Sequence, residues 1–109
     1  MSFDISMHYP DLPGNRMPDN NYRNPTYNIA PMFALAIGEE EGIRFLDGKT
    51  GRECRPILKR AILDMESNMS VYRDLNPENG WGRAEDAVSV LRTLFQWTCM
   101  APDYIMRVR

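Results

Sequence analysis

The sequence predicts an α+β domain: three main helices packed together, with a small sheet formed by the N- and C-terminal strands. Three observations carry that expectation. Residues 3–9 and again 103–109 alternate from one side to the other with a period of two, the repeat of a strand. Two stretches, from about 50 to 65 and from about 83 to 100, repeat apolar residues at helical spacing. A third, 29–37, is apolar at nearly every position. A chain of 109 residues suits one compact domain. It divides into a strand and an irregular segment (1–28), a helical core (29–100) and a C-terminal strand (103–109).

In the first strand Phe3, Ile5, Met7 and Tyr9 share one face, and Asp4, Ser6 and His8 the other. In the last, Tyr104, Met106 and Val108 oppose Ile105, Arg107 and Arg109. Neither strand is stable alone, so each needs the other, a further strand or a partner chain. Residues 10–28 contain Pro10, Pro13, Pro18 and Pro25. That density excludes a helix, and no strand is evident. A long ordered loop wrapped over the body is expected.

The first helix, 29–37, has Asn28 as its cap, Pro31 in its first turn and Gly38 as its stop. Being apolar almost all round, it is expected to be the most buried element. Glu39-Glu40-Glu41 reads as a solvated turn, and 42–46 as a short extended or helical link. The second helix opens on Thr50 and Glu53, which have capping-box spacing. Ile57, Leu58, Ala61, Ile62 and Met65 form its apolar stripe. Pro56 removes one amide donor, which predicts a start nearer Cys54 or a kink. Residues 70–75 read as a single helical turn or a short helix stopped by Asn76-Pro77. The third helix runs from about Arg83 to Met100, with Ala84, Ala87, Val88, Leu91, Leu94, Phe95 and Thr98 buried. Glu85 and Asp86 suit the positive end of its dipole.

Composition excludes several classes. Thirteen basic side chains against fifteen acidic ones leave a net charge of −2, which argues against general nucleic-acid binding. The longest apolar run, 29–37, falls short of the roughly 20 residues of a membrane span. The first ten residues lack a basic start and an apolar stretch, so no secretion signal is expected. Cys54 and Cys99 are expected as free thiols in a reducing cytoplasm. His8 is the only histidine, and one histidine with two distant cysteines makes a poor zinc site. No glycine-rich phosphate loop follows a strand. The reading is of a protein without a catalytic constellation, metal or cofactor.

One device recurs. Asn24-Pro25-Thr26-Tyr27-Asn28 precedes the first helix, and Asn76-Pro77-Glu78-Asn79-Gly80-Trp81-Gly82 the third. Each places an aromatic ring and an asparagine at a helix entrance, where amides are unpaired and positive charge accumulates. Asparagine amides read base edges, and aromatic rings stack on bases. If the entrances lie side by side, Tyr27, Asn28, Asn76, Asn79, Trp81 and Arg83 line one pocket, with Arg23 at its rim to meet phosphate. The plainer reading gives the asparagines to capping, the glycines to a bend, and Trp81 to closing the end of the core.

The stretches Asn24–Phe33, Gly42–Gly51 and Tyr72–Gly82 resemble a group of small bacterial and phage-encoded proteins without an assigned activity. The similarity spans roughly residues 22–109. It implies a phage or mobile element in a bacterial host cell, hence a cytoplasmic setting, and no mechanism. The expectation is a non-enzymatic accessory protein that binds a small nucleotide-like ligand and sequesters a bacterial immune signal. A pocket shared between copies in a homo-oligomer would suit so small a chain. The alternative is an interaction module in which residues 10–28, the methionines and the terminal strand edges dock on a host or phage protein.

Overall fold

The computed structural model describes residues 1–11 and 22–109. It is α+β. The sheet has three antiparallel strands in the order β2-β1-β3: β1 (Ile5–His8) lies between β2 (Tyr22–Arg23) and β3 (Ile105–Val108). The helices are α1 (Ala30–Ile37), α2 (Gly51–Ser67), α3 (Met69–Arg73) and α4 (Ala84–Met100). The two chain ends pair as their alternation predicts. Ile5 stands opposite Val108 and Met7 opposite Met106, and all four side chains are buried.

The short strand β2 corrects the reading of 10–28 as strandless. Ile5 faces Arg23 and Ser6 faces Tyr22. The pairing continues beyond the strand: Phe3 donates its amide to the Pro25 carbonyl at 2.8 Å, and Tyr27 donates to that of Met1 at 3.1 Å. Proline at 25 offers its carbonyl and has no N–H to strand, which suits an edge position. The Asn24 amide group clamps the bend, donating to the Phe3 carbonyl and to the Asp4 carboxylate, each at 2.8 Å. Residues 12–21 of the loop expected over 10–28 lie outside the described residues.

At the first helix the cap is Thr26 rather than Asn28. The Thr26 hydroxyl accepts the Asn28 amide at 3.2 Å and opens a 3₁₀ turn, Tyr27–Ile29, that leads into α1. Gly38 ends α1 in the left-handed region, as expected. The helix buries Met32, Phe33, Ala36 and Ile37 but leaves Leu35 half exposed. It is therefore a flank of the core and not its centre.

The centre is the packing of α2 on α4, the most extensive contact in the molecule. Leu58, Ala61 and Met65 of α2, and Ala87, Leu91 and Leu94 of α4, are fully buried. Each large aliphatic side chain so buried contributes about 2 kcal/mol. The capping box forms at the start of α2: Thr50 Oγ1 accepts the Glu53 amide at 3.2 Å, and Glu53 Oε1 accepts the Thr50 amide at 2.9 Å. With both ends of the box satisfied, α2 starts at Gly51 and runs unbroken through Pro56, against the expected later start. Gly51 has a further reason to lack a side chain. A Cβ there would lie 2.7 Å from the Ala101 carbonyl oxygen, where the chain leaves α4 for β3.

The outer side of β3 is covered as well. Gly48 donates to the Met106 carbonyl and Met106 to that of Lys49, each at 2.8 Å. Asp47 then ties the chain end: its Oδ1 accepts the Val108 amide at 2.8 Å and the Arg109 guanidinium at 2.7 Å. Partial burial pushes the Asp47 carboxyl up, but the Val108 amide and then Arg109 outweigh it and hold it below the usual 3.8. A depressed native value means the clamp is intact above the unfolded value and is lost as pH falls through the native one. Asp47→Asn should cost up to about 1 kcal/mol at neutral pH, given how exposed the Arg109 partner is. It should also flatten the loss of stability below about pH 4, read from urea titrations across that range.

Candidate functional site

The two Asn-Pro entrances do come together, through a glycine. Gly82, at φ 110°, sits so close to the first entrance that a Cβ would lie 2.7 Å from Ile29 Cγ2 and 3.0 Å from Thr26 Cγ2. Only glycine tolerates both that backbone angle and that approach. A groove of about 300 Å³ opens beside this contact. One wall comes from Arg23, Pro25, Thr26 and Ile29; the other from Trp81, Gly82 and the α4 residues Asp86, Ser89 and Val90.

The predicted set divides. Arg23 and Trp81 line the groove. Arg23 leaves the sheet edge and donates from Nη1 to the Thr93 hydroxyl of α4 at 3.1 Å, so its cation is held at the rim. Trp81 is 71% exposed and its backbone amide is tied to the Asn79 side-chain oxygen at 2.9 Å. It does not close the end of the core, as the plainer reading held. Trp97, 4% exposed, is the core tryptophan, and its position one turn before the end of α4 places it in the buried stripe.

The other five lie outside the groove lining. Tyr27 turns toward the N-terminal strand. Its ring meets Phe3 edge-on at 4.6 Å between centroids, and Arg44 stands over both rings at 4.7 and 5.4 Å. Two aromatic faces and a cation satisfy one another there. Asn28 is exposed, with its backbone amide given to Thr26. Asn76 Oδ1 caps α4 by accepting the Ala84 amide at 2.9 Å, and Asn79 holds the turn as described. Arg83 is exposed, and its backbone amide donates to Asp86 Oδ2 at 2.9 Å. Asn76 and Asn79 thus serve a helix start and a turn, because a short amide side chain competes well for nearby backbone groups.

The groove residues that the sequence reading passed over are Pro25, Thr26, Ile29, Gly82, Asp86, Ser89 and Val90. A signal existed for three: Asp86, Ser89 and Val90 recur at helical spacing on a face of α4 adjoining the core stripe. Nothing local identified the facing wall.

Chemically the groove offers one guanidinium, one carboxylate, two hydroxyls, an indole face and an aliphatic floor. Among the described residues no group of three or more His, Cys, Asp and Glu side chains could hold a metal ion. Elsewhere, burial pushes the Cys54 thiol up to about 12, so it is uncharged at neutral pH and a poor nucleophile. Burial, together with the hydrogen bond to Asp64, also holds the Tyr72 phenol well above its usual value. Among the described residues no helix is long and apolar enough to cross a membrane. No family model, curated protein or solved structure matches this chain.

The two tryptophans should behave in opposite ways. Trp81→Ala should change stability by less than about 0.5 kcal/mol, as surface substitutions do. Trp97→Ala should cost about 3–5 kcal/mol through the cavity it leaves. Chemical denaturation of both variants checks this, and equal costs would place Trp81 in the core.

Proposed function

We propose that this chain is a non-enzymatic binding protein whose groove takes a small nucleotide-like ligand. The observation that carries the reading is Trp81, a large ring left open to solvent at the mouth of a groove whose far rim holds the Arg23 cation. Leaving an indole in water forgoes its burial, and a ligand that stacks on it recovers that contribution. Base–aromatic stacking is worth about 1–3 kcal/mol. Arg23 would meet a phosphate, while the Asp86 carboxylate and the Thr26 and Ser89 hydroxyls would accept from ribose or an exocyclic amine.

Size and charge narrow the class. A volume of about 300 Å³ is at the lower end for small-ligand sites, which favours a mononucleotide-sized guest. One carboxylate beside one guanidinium disfavours a polyphosphate, since each added negative charge also meets Asp86. The groove is built within one chain, so the reading does not require a second copy, although a copy could close its open side. Sequestration of a bacterial signalling nucleotide by a phage-borne protein is the biological form this binding would take, on the resemblance noted above. Docking through the terminal strands has less support, because the outer side of β3 is already paired with residues 48–50.

Calorimetry against cyclic and ADP-ribose-type nucleotides tests the reading. Binding should weaken roughly tenfold or more in Trp81→Ala, the equivalent of about 1.4 kcal/mol. Arg23→Ala should weaken it and reduce its dependence on salt. Uniform absence of heat across the panel ends the proposal.

A further inference from the structure

We propose that the outer seam between α2 and α4 is a docking groove for an acidic amphipathic helix of a partner protein. The groove, about 310 Å³, is lined by Lys59, Ile62 and Leu63 from α2 and by Arg92, Phe95 and Gln96 from α4. It lies on a different face of α4 from the Trp81 groove, which uses Asp86, Ser89 and Val90. The floor is apolar. Ile62 and Phe95 are half-buried against the core, and Leu63 is 54% exposed.

Shape narrows the occupant. The trough is open to solvent, so a small apolar molecule would stay largely wet, whereas small-ligand sites enclose most of their guest. The two helices run antiparallel: Glu66 near the end of α2 pairs with Arg92 of α4, while Arg52 and Arg55 near its start reach Asp103 and the Thr98 carbonyl. Each has 17 residues, about 25 Å of axis. The lined stretch, 59–63 on α2 and 92–96 on α4, is a trough between two antiparallel helices, the kind of seat in which a third helix sets apolar residues three or four positions apart.

Charge narrows it further. The chain carries −2 overall, yet this strip has the opposite sign. Lys59 and Arg92 line it, and Arg55 and Arg52 continue the same face of α2 beyond it, against two carboxylates, Asp103 and Glu66. Those two acids pair with Arg52 and Arg92. Arg55 and Lys59 form no salt bridge among the described residues. Lys59 at the apolar floor, with Arg55 one turn along the same face and given to the Thr98 carbonyl, leaves an excess of positive charge that selects a helix with Glu or Asp flanking its apolar stripe. A second copy docking by the same seam about a two-fold axis would bring these cations near their own counterparts. That repulsion favours a foreign acidic helix over self-association.

The probe is a synthetic helix-forming peptide of about 18 residues, long enough to hold helix on its own. It carries a leucine stripe flanked by glutamates, and a matched peptide has lysines instead. Binding to the full chain is followed by fluorescence anisotropy and by amide shifts in NMR spectra. The glutamate peptide should bind at least about tenfold more tightly than the lysine peptide, with shifts clustered at residues 59–66 and 92–96. Leu63→Glu should abolish binding with an unchanged thermal melt, because Leu63 is largely exposed. Lys59→Glu should narrow or invert the preference between peptides, and Trp81→Ala should leave it untouched. Equal binding of the two peptides, shifts confined to the Trp81 groove, or no shifts at about 1 mM peptide would overturn the proposal. So would a dimer, seen in sedimentation, that Leu63→Glu dissolves.

Discussion

The packing of α2 against α4 sets the position of everything else on this molecule. Leu58, Ala61 and Met65 on one side and Ala87, Leu91 and Leu94 on the other exclude water completely. Interiors of that kind are close-packed and resist small displacements. The two helices therefore behave as one body with distinct outer faces. One face is the apolar, cation-lined seam. The other presents Asp86, Ser89 and Val90 to the segment that enters α1. The sheet closes the unit at the chain ends, where Asp47 and residues 48–50 pin β3 to the start of α2.

The candidate ligand groove depends on that body and on a local approach. Residues 23–29 are fastened to the N-terminal strand by backbone pairing and by Asn24, and then lie against Gly82. With a side chain at 82, the two entrances would separate by the thickness of a methyl group or more. Because glycine allows contact, Trp81 is carried to the edge of the joint and out of the core. The exposure of that ring follows from one backbone contact, which also sets it across the groove from Arg23.

Polar side chains near the groove do more architectural work than recognition. Asn24, Asn76 and Asn79 satisfy backbone groups at bends and helix starts, which would otherwise lose about a hydrogen bond each. Tyr27 and Arg44 form a closed aromatic–cation set with Phe3. What remains for a guest is sparse: one ring, one guanidinium, one carboxylate and two hydroxyls. On the proposed reading, so sparse a set suits a small, planar ligand better than a large one.

Much of the fold was legible in the residues because its determinants are local. Period-two alternation marked both terminal strands and the faces they bury. Thr50 with Glu53 marked the start of α2, Gly38 the end of α1, and the apolar stripe most of α4, since caps and periodicity act over one or two turns. The sequence by itself thus determined the three main helices, the two terminal strands and most of the faces they bury. Tertiary structure decided the rest. It buried Trp97 and exposed Trp81, it turned Tyr27 onto Phe3, and it recruited the Tyr22–Arg23 pair as an edge strand. It also brought residues 23–29 beside 81–90. Those outcomes depend on how segments distant along the chain meet, as in the Tyr27–Phe3 ring contact and the Arg23–Thr93 bond, and no local pattern encodes such meetings.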